Sequence, residues 1–487
     1  MTLNIPKPHP YQDNIINQAR ESFSKGHKRI ILQLPTGGGK SVIAGHITHK
    51  TVNNNKRVLV VTHREEIAKQ FLKHFYNFGI IAGQVMSKKP MMPNYPVQVS
   101  MVGTLANRIH KLHKPDLILI DESHHSTSPT WAKIMDYFKE VPVIGLTATP
   151  QRLDGKGLNS VGFTDMVLGP SIKWLVKNGY LSYPIMYKHP NEITQEFKVK
   201  NGDYDTKEQE VVFSKGTVLG DVLEHYKKHL DGLPTVAFCP TVEHSKLTAE
   251  MFNQAGYVAK AVYGNMDDKE RDKAISGLAD GSVQIVTSCD VISEGMDVPG
   301  IVGAILLRRT MSLSLFLQQT GRALRLAPGK KAAIILDHAG NYKLHGSVLD
   351  DRIWSLEGQK KKDKKLTPKM TECPECYALF SGIVTKCLAC GYDFPKIEIP
   401  REVPKFTVIK GELEAEFPDL EDGLIDVAAR ALANDNVNKQ KLLWSTAYGL
   451  ADQGEAGRLK LDKVRKAMGY KANWTNIVWK KVMGENE

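Results

Sequence analysis

RIILQLPTGGGKSVIAGHITHK, residues 29–50, is the stretch from which the fold can be read. Its first six residues, RIILQL, have the continuous apolar character of a short buried strand. The Gly-rich PTGGGKS follows, and then VIAGHITHK, whose apolar residues recur with a helical period. Strand, glycine loop and helix make the setting that a phosphate-binding loop requires. Glycines let backbone N–H groups wrap a phosphate, and the helix behind them adds its positive end. In that reading Thr36, Gly37, Gly38 and Gly39 form the cradle, Lys40 reaches the β- and γ-phosphates of ATP, and Ser41 holds Mg²⁺. The generic pattern G-x-x-x-x-G-K-[ST] asks for glycine where this chain has Leu34, so a plain Gly-rich turn is the competing reading.

The rhythm continues outward. RVLVVTH (57–63), VQVSMV (97–102), DLILIDES (116–123) and VPVIGLTAT (141–149) are further buried-strand patterns, with helical patterns between several of them. Such alternation predicts a parallel sheet covered on both faces. It breaks over 185–220, which is polar and mixed and has no assignment. It restarts with TVAFCP (235–240), YVAKAVYG (257–264), VQIVTSCD (283–290), VGAILLRR (302–309) and KAAIILDHAG (331–340). The expectation is two tandem parallel α/β domains, 1–170 and 221–345, joined by a connection over 171–220.

DESHH, residues 121–125, ends one of these strands. Its five residues fit a metal site, an acid/base pair or a nucleotide machine. At the C-terminal tip of a strand in an open parallel sheet, where ligands bind, Asp121 suits the acid that grips Mg²⁺. Glu122 is then placed to orient or deprotonate a water. On an extended chain His124 and His125 point to opposite sides, so both at one metal is disfavoured. Phosphoryl transfer also needs positive charge against the γ-phosphate. QQTGRALR (318–325) offers Arg322 and Arg325, three apart on one helical face, with a surface basic helix as the alternative.

The chain has 487 residues and a net charge of +12, which favours a polyanionic partner. No apolar run approaches the ~18 residues of a membrane span, and MTLNIPKPHP has no apolar secretory core. The cytoplasm, of a bacterium or a phage-infected cell, is the expected location. QKKKDKK (359–365) lies in a basic linker, 346–370. Next, CPEC and CLAC place Cys373, Cys376, Cys387 and Cys390 as two C-x₂-C knuckles. Four thiolates at this spacing suit a structural Zn²⁺ ribbon over 371–395, with an iron–sulfur cluster or redox pairs as the alternatives. The remainder, 396–487, has an acidic stretch (411–426) and a basic helical end with eight Lys or Arg against one Asp in 456–481. Trp474 there could stack on a base or belong to a small core.

Taken together these residues resemble superfamily 2 helicases of the DExH type over roughly residues 8–340. HPYQ (9–12) is similar to their adenine-reading element, which implies Gln12 as the contact. LPTGGGKS resembles motif I, where the first glycine of the generic loop is usually absent. VTHREEIAKQ, VGTLANR, DESH, LTATP, AFCPTVEHS, TSCDVISEGMDVP and QQTGRALR resemble motifs Ia, Ib, II, III, IV, V and VI in that order. The resemblance implies two RecA-like lobes with ATP–Mg²⁺ between them. Lobe one would supply Lys40, Ser41, Asp121 and Glu122. Lobe two would supply Gly295, Asp297, Gln318, Arg322 and Arg325. His124 would couple the ATP site to motif VI through Gln318, while Thr147 and Thr149 would couple it to the nucleic acid. Arg64, Thr104 and Thr287 would contact phosphates. The ribbon and the ending GYKANWTNIVWKK (469–481) are similar to those of RadD-like DNA repair helicases and their phage relatives. The implied function is an ATP-dependent helicase acting on single-stranded, forked or branched DNA, with 3′→5′ polarity. The alternatives are an RNA helicase, a duplex translocase subunit of a restriction-type complex, and a nucleotide-gated clamp.

Overall fold

The computed structural model describes residues 5–87, 89–125, 128–151, 155–189, 195–200, 202–292, 300–358, 370–382, 384–395 and, with short interruptions, 443–483. The lysine-rich 359–365, the acidic 411–426, and Gly295 and Asp297 fall outside the described residues.

Strands β1 (Arg29–Gln33), β2 (Val58–Thr62), β3 (Ala82–Val85), β4 (Val97–Met101), β5 (Leu117–Asp121), β6 (Val143–Thr147) and β7 (Asp165–Leu168) form one sheet in the order β3-β4-β2-β5-β6-β1-β7. All its pairings are parallel. Every residue of β2, β5 and β6 is buried, as strands covered by helices on both faces require. The tips of β1 and β5 are separated only by β6, so the glycine loop and DESHH open on the same edge.

The second lobe holds β8 (Pro184–Lys188), the short hairpin β9 (Val199–Lys200) and β10 (Asp203–Tyr204), then β11 (Thr235–Phe238), β12 (Ala259–Val262), β13 (Ile285–Ser288), β14 (Gly303–Leu306), β15 (Ala333–Asp337), β16 (Met370–Glu372) and β17 (Ala378–Ser381). Its main sheet runs β12-β13-β11-β14-β15-β8-β17-β16.

Three expectations change here. The stretch read as a connection supplies β8, which pairs parallel with β15, and the helices Thr206–Phe213 and Gly216–Leu230. The cysteine hairpin is not a separate bead either. Its strand β17 pairs antiparallel with β8, Ala378 against Tyr187, and so continues the sheet of lobe two.

Residues 346–358, expected as the start of a linker, are packed. Val348 and Trp354 lie on the lobe-two core, and Leu356 lies on a core of lobe one. The Leu356 carbonyl also accepts from the Asn159 N–H at 3.1 Å.

The C-terminal residues form a compact unit of their own. The helices Gly454–Ala467 and Asn473–Val482 pack with Leu443, Ala447 and Leu450 around Leu461, Val464, Val478 and Trp479. No helix among the described residues is long and apolar enough to cross a membrane.

Candidate functional site

The loop after β1 turns sharply into the helix Lys40–Asn53. Gly37 and Gly39 both adopt φ of +83°, a left-handed conformation that glycine takes without strain. Gly39 is also held for space, since a Cβ there would fall 2.1 Å from Gln12 Nε2. Gln12 itself is buried. Its amide donates to the Gly38 carbonyl at 3.4 Å and accepts from the His9 N–H at 2.8 Å, while the Tyr11 hydroxyl donates to Gly38 O at 3.0 Å. Gln12 and Tyr11 thus brace the backbone of the phosphate loop.

Across from that loop, Asp121 and Glu122 end β5. Glu122 has φ of +45°, a costly conformation for a residue with a Cβ and one that gathers at working sites. It turns the carboxylate towards the loop, where Glu122 Oε1 lies 3.7 Å from Lys40 Nζ. Both side chains are largely buried. Burial, and then the neighbouring Glu122 charge, push the Asp121 carboxyl well above the usual carboxylate range, with Lys40 and Arg322 opposing them. Two buried carboxylates side by side are an arrangement that a divalent cation relieves, and Asp121 and Ser41 offer the oxygen ligands that Mg²⁺ prefers.

A cavity of about 550 Å³ opens over these groups, lined by Lys40, Ser41, Asp121 and Glu122 from lobe one and by Arg322 and Arg325 from lobe two. That volume is ordinary for a site taking a molecule of nucleotide size. Arg322 stands on the helix Leu313–Ala323, but Arg325 lies just beyond its end. The two arginines therefore do not share one helical face, although both reach the cavity. Burial lowers the Arg325 guanidinium to about 10, so it stays charged at neutral pH. Gly321 packs against the loop itself, since a Cβ on it would sit 2.6 Å from Thr36 Cβ.

DESHH does not continue as an extended run. Ser123–His125 coil into a 3₁₀ turn that brings His124 Nδ1 to 2.9 Å from Thr147 Oγ1 and 3.4 Å from Glu122 Oε2. Thr147 Oγ1 accepts from the Thr149 N–H at 3.1 Å, and Thr149 Oγ1 donates to Ser314 Oγ of lobe two at 2.6 Å. Ser314 was not anticipated, because a serine in the first turn of a helix carries no signal until the lobes are placed. Gln318 is buried, and its amide nitrogen has no hydrogen-bond partner among the described residues.

Of the expected nucleic-acid contacts, Thr104 is half-buried at the lobe-one edge. Arg64 Nη1 donates to the Asp290 carbonyl of lobe two at 3.0 Å. Thr287 departs from expectation. It is fully buried in β13 and its hydroxyl donates to the Ser245 carbonyl at 2.7 Å, because a strand flanked by β11 and β12 under helices exposes neither face. Trp474 is half-buried and packs against Tyr470 with ring centroids 5.0 Å apart, at the margin of the small C-terminal core.

The four knuckle cysteines form a cluster. Cys373 Sγ and Cys390 Sγ are 3.6 Å apart, as are Cys376 Sγ and Cys387 Sγ. The edge of a tetrahedron with zinc–sulfur bonds of ~2.3 Å is only slightly longer, so the donor set fits a structural zinc ion. Gly391, with φ of +82°, supplies the tight turn behind the second knuckle.

Residues 5–152 match the family "Type III restriction enzyme, res subunit", and residues 214–327 match the family "Helicase conserved C-terminal domain". A 51.5 kDa protein of a Lactococcus phage is 32% identical over 454 residues, 90% of this chain and 97% of that protein. The putative mitochondrial ATP-dependent helicase irc3 of Schizosaccharomyces pombe is 28% identical over 361 residues, which span 68% of this chain and 57% of the yeast protein. Among solved structures, a fragment of a putative HsdR subunit of a type I restriction enzyme from Vibrio vulnificus shares the fold, with a TM-score of 0.57 and 22% identity over 71% of this chain and 67% of that one.

Proposed function

This chain belongs to the superfamily 2 helicases, ATP-dependent enzymes that act on nucleic acid, and we propose that it is a DNA motor that unwinds or remodels branched DNA in repair, recombination or replication. The observation that carries the reading is the cavity between the lobes, where Lys40 and Glu122 face Arg322 and Arg325.

ATP takes that cavity with its phosphates on the backbone of Gly37–Gly39. Lys40 neutralises the β- and γ-phosphates, and Arg322 and Arg325 bring charge to the γ-phosphate as lobe two closes. Ser41 and Asp121 would hold a magnesium ion, which would supply further charge neutralisation. Glu122 orients the attacking water and takes its proton. Loss of the γ-phosphate removes the charge that holds the arginines in place, and the lobes part. The route from Glu122 through His124, Thr147 and Thr149 to Ser314 reports that change to the helix carrying Arg322.

DNA as the track is supported by the likeness of lobe one to restriction-enzyme subunits and by the basic C-terminal unit. Zinc at Cys373, Cys376, Cys387 and Cys390 holds the hairpin that extends the sheet of lobe two. The likeness to a phage protein supports a working place in a phage-infected bacterial cell.

Unwinding of a labelled forked DNA with Mg²⁺–ATP tests the reading. Strand release by the native chain and none by Glu122→Gln is expected. Release from a matched RNA fork in place of the DNA fork would overturn the choice of DNA.

A further inference from the structure

A second cluster of metal-binding side chains lies in lobe two, away from the cysteines and from the ATP cavity. His189 immediately follows β8, His225 stands on the helix Gly216–Leu230, and His338 immediately follows β15. Each ring brings one nitrogen to within 4.8 Å of the others. We propose that His189, His225 and His338, with Asp221 beside them, bind a divalent transition-metal ion, zinc first among them, that ties β8, β15 and this helix together.

The spacing supports an ion over a simple contact. His225 Nδ1 and His338 Nε2 are 3.4 Å apart, beyond the usual range for a hydrogen bond to nitrogen. Two nitrogens bound tetrahedrally to one ion at ~2.0–2.1 Å stand at just this separation. His338 is only 3% exposed, and its Nδ1 has no hydrogen-bond partner among the described residues. Among the described residues, the nitrogens of this buried imidazole have one long contact, at Nε2. An ion bound at His338 Nε2 would replace that long contact with a bond of ordinary length.

Asp221 completes the chemistry. Its Oδ2 lies 2.7 Å from His189 Nε2. A carboxylate in that position either orients the imidazole from behind or serves as a fourth ligand. Three imidazoles and a carboxylate are a donor set for zinc and neighbouring transition metals, and they disfavour Ca²⁺ and Mg²⁺. The site is distinct from the thiolate site but joined to it through β8. Tyr187, two residues before His189, pairs with Ala378 of the cysteine hairpin and stacks on His229, one turn beyond His225. The two ions would both stand near the C-terminal end of β8, where Tyr187 lies between the cysteine hairpin and the histidines.

The test is a metal count on the full-length chain purified without chelator, with zinc, iron, manganese, cobalt, nickel and copper counted together. About two ions per chain are expected for the native protein, and one for His225→Gln and for Cys376→Ser. His225→Gln is chosen because His225 is half-buried on a helix surface, and unchanged basal ATP hydrolysis shows that the variant is folded. A cobalt-loaded sample separates the sites, because thiolate-to-cobalt charge transfer marks the cysteines and should survive His225→Gln. Asp221→Asn, at a more exposed position, is expected to weaken the second ion without removing the first. No more than one ion in the native chain, or two retained in His225→Gln, would overturn the proposal.

Discussion

Thr149 of lobe one and Ser314 of lobe two share a hydroxyl–hydroxyl bond of 2.6 Å across the cleft. Thr149 is tied back to Thr147, and Thr147 to His124 beside the Glu122 carboxylate. A net hydrogen bond contributes ~0.5–1.5 kcal/mol, a factor of roughly 3–10 in an equilibrium. Ser314→Ala should therefore lower DNA-stimulated ATP hydrolysis by about that factor, with nucleotide affinity nearly unchanged. Stimulation curves for the two proteins check it, and equal maximal stimulation would remove Ser314 from the route.

Gly321→Ala is expected to act through space alone. Its new methyl would lie where Thr36 now sits, so the lobes could not close on the nucleotide. Overpacking of this kind costs ~1–3 kcal/mol, and activity should fall at least tenfold while thermal unfolding changes little. Gly264→Ala, where a Cβ meets nothing within 4 Å, is the matched control. Comparable loss in both variants would mean that the contact is not what matters.

Lys40→Ala and Glu122→Gln should separate binding from chemistry. The first removes the cation facing the phosphates, and both nucleotide affinity and turnover should collapse. The second keeps shape and hydrogen bonding but loses the proton acceptor. It should bind ATP and nucleic acid normally and hydrolyse at least about a hundredfold more slowly. Near-native hydrolysis by Glu122→Gln would exclude the role given to Glu122.

Sequence alone reached the central strands because RIILQ, VLVVT and LILID are apolar on both faces and end in turn or acidic residues. It brought Lys40, Ser41, Asp121 and Glu122 together because each adjoins the tip of such a strand, and the structure lines one cavity with them. It did not reach β8, since PIMYK is short and pairs with a strand about 150 residues later. Nothing local announces such a pairing. Ser314 and the histidines at 189, 225 and 338 were hidden for the same reason, because each acquires meaning only from neighbours distant in the chain. Thr287 failed in the opposite way. Its motif resemblance pointed outward, but the sheet around β13 buries it.

Loss of the zinc proposed for the cysteine hairpin should be felt in lobe two. With β17 displaced, the edge of β8 is exposed, and unpaired strand edges invite aggregation. Cys376→Ser should lose one ion and lower the melting temperature, by ~2–4 °C for each kcal/mol lost in a domain of this size. It should also aggregate on warming. Calorimetry with light scattering reads both, and an unchanged melting temperature would show that the ribbon does not support the lobe.

The nucleic-acid dependence of ATP hydrolysis tests the central claim most directly. Turnover is measured with Mg²⁺ alone and with single-stranded DNA, branched duplex DNA or single-stranded RNA added. Strong stimulation by DNA, greatest with the branched form, and little by RNA is the predicted result. Stimulation by RNA rather than DNA, or by no nucleic acid at all, would contradict a DNA motor driven from the Lys40–Glu122 site.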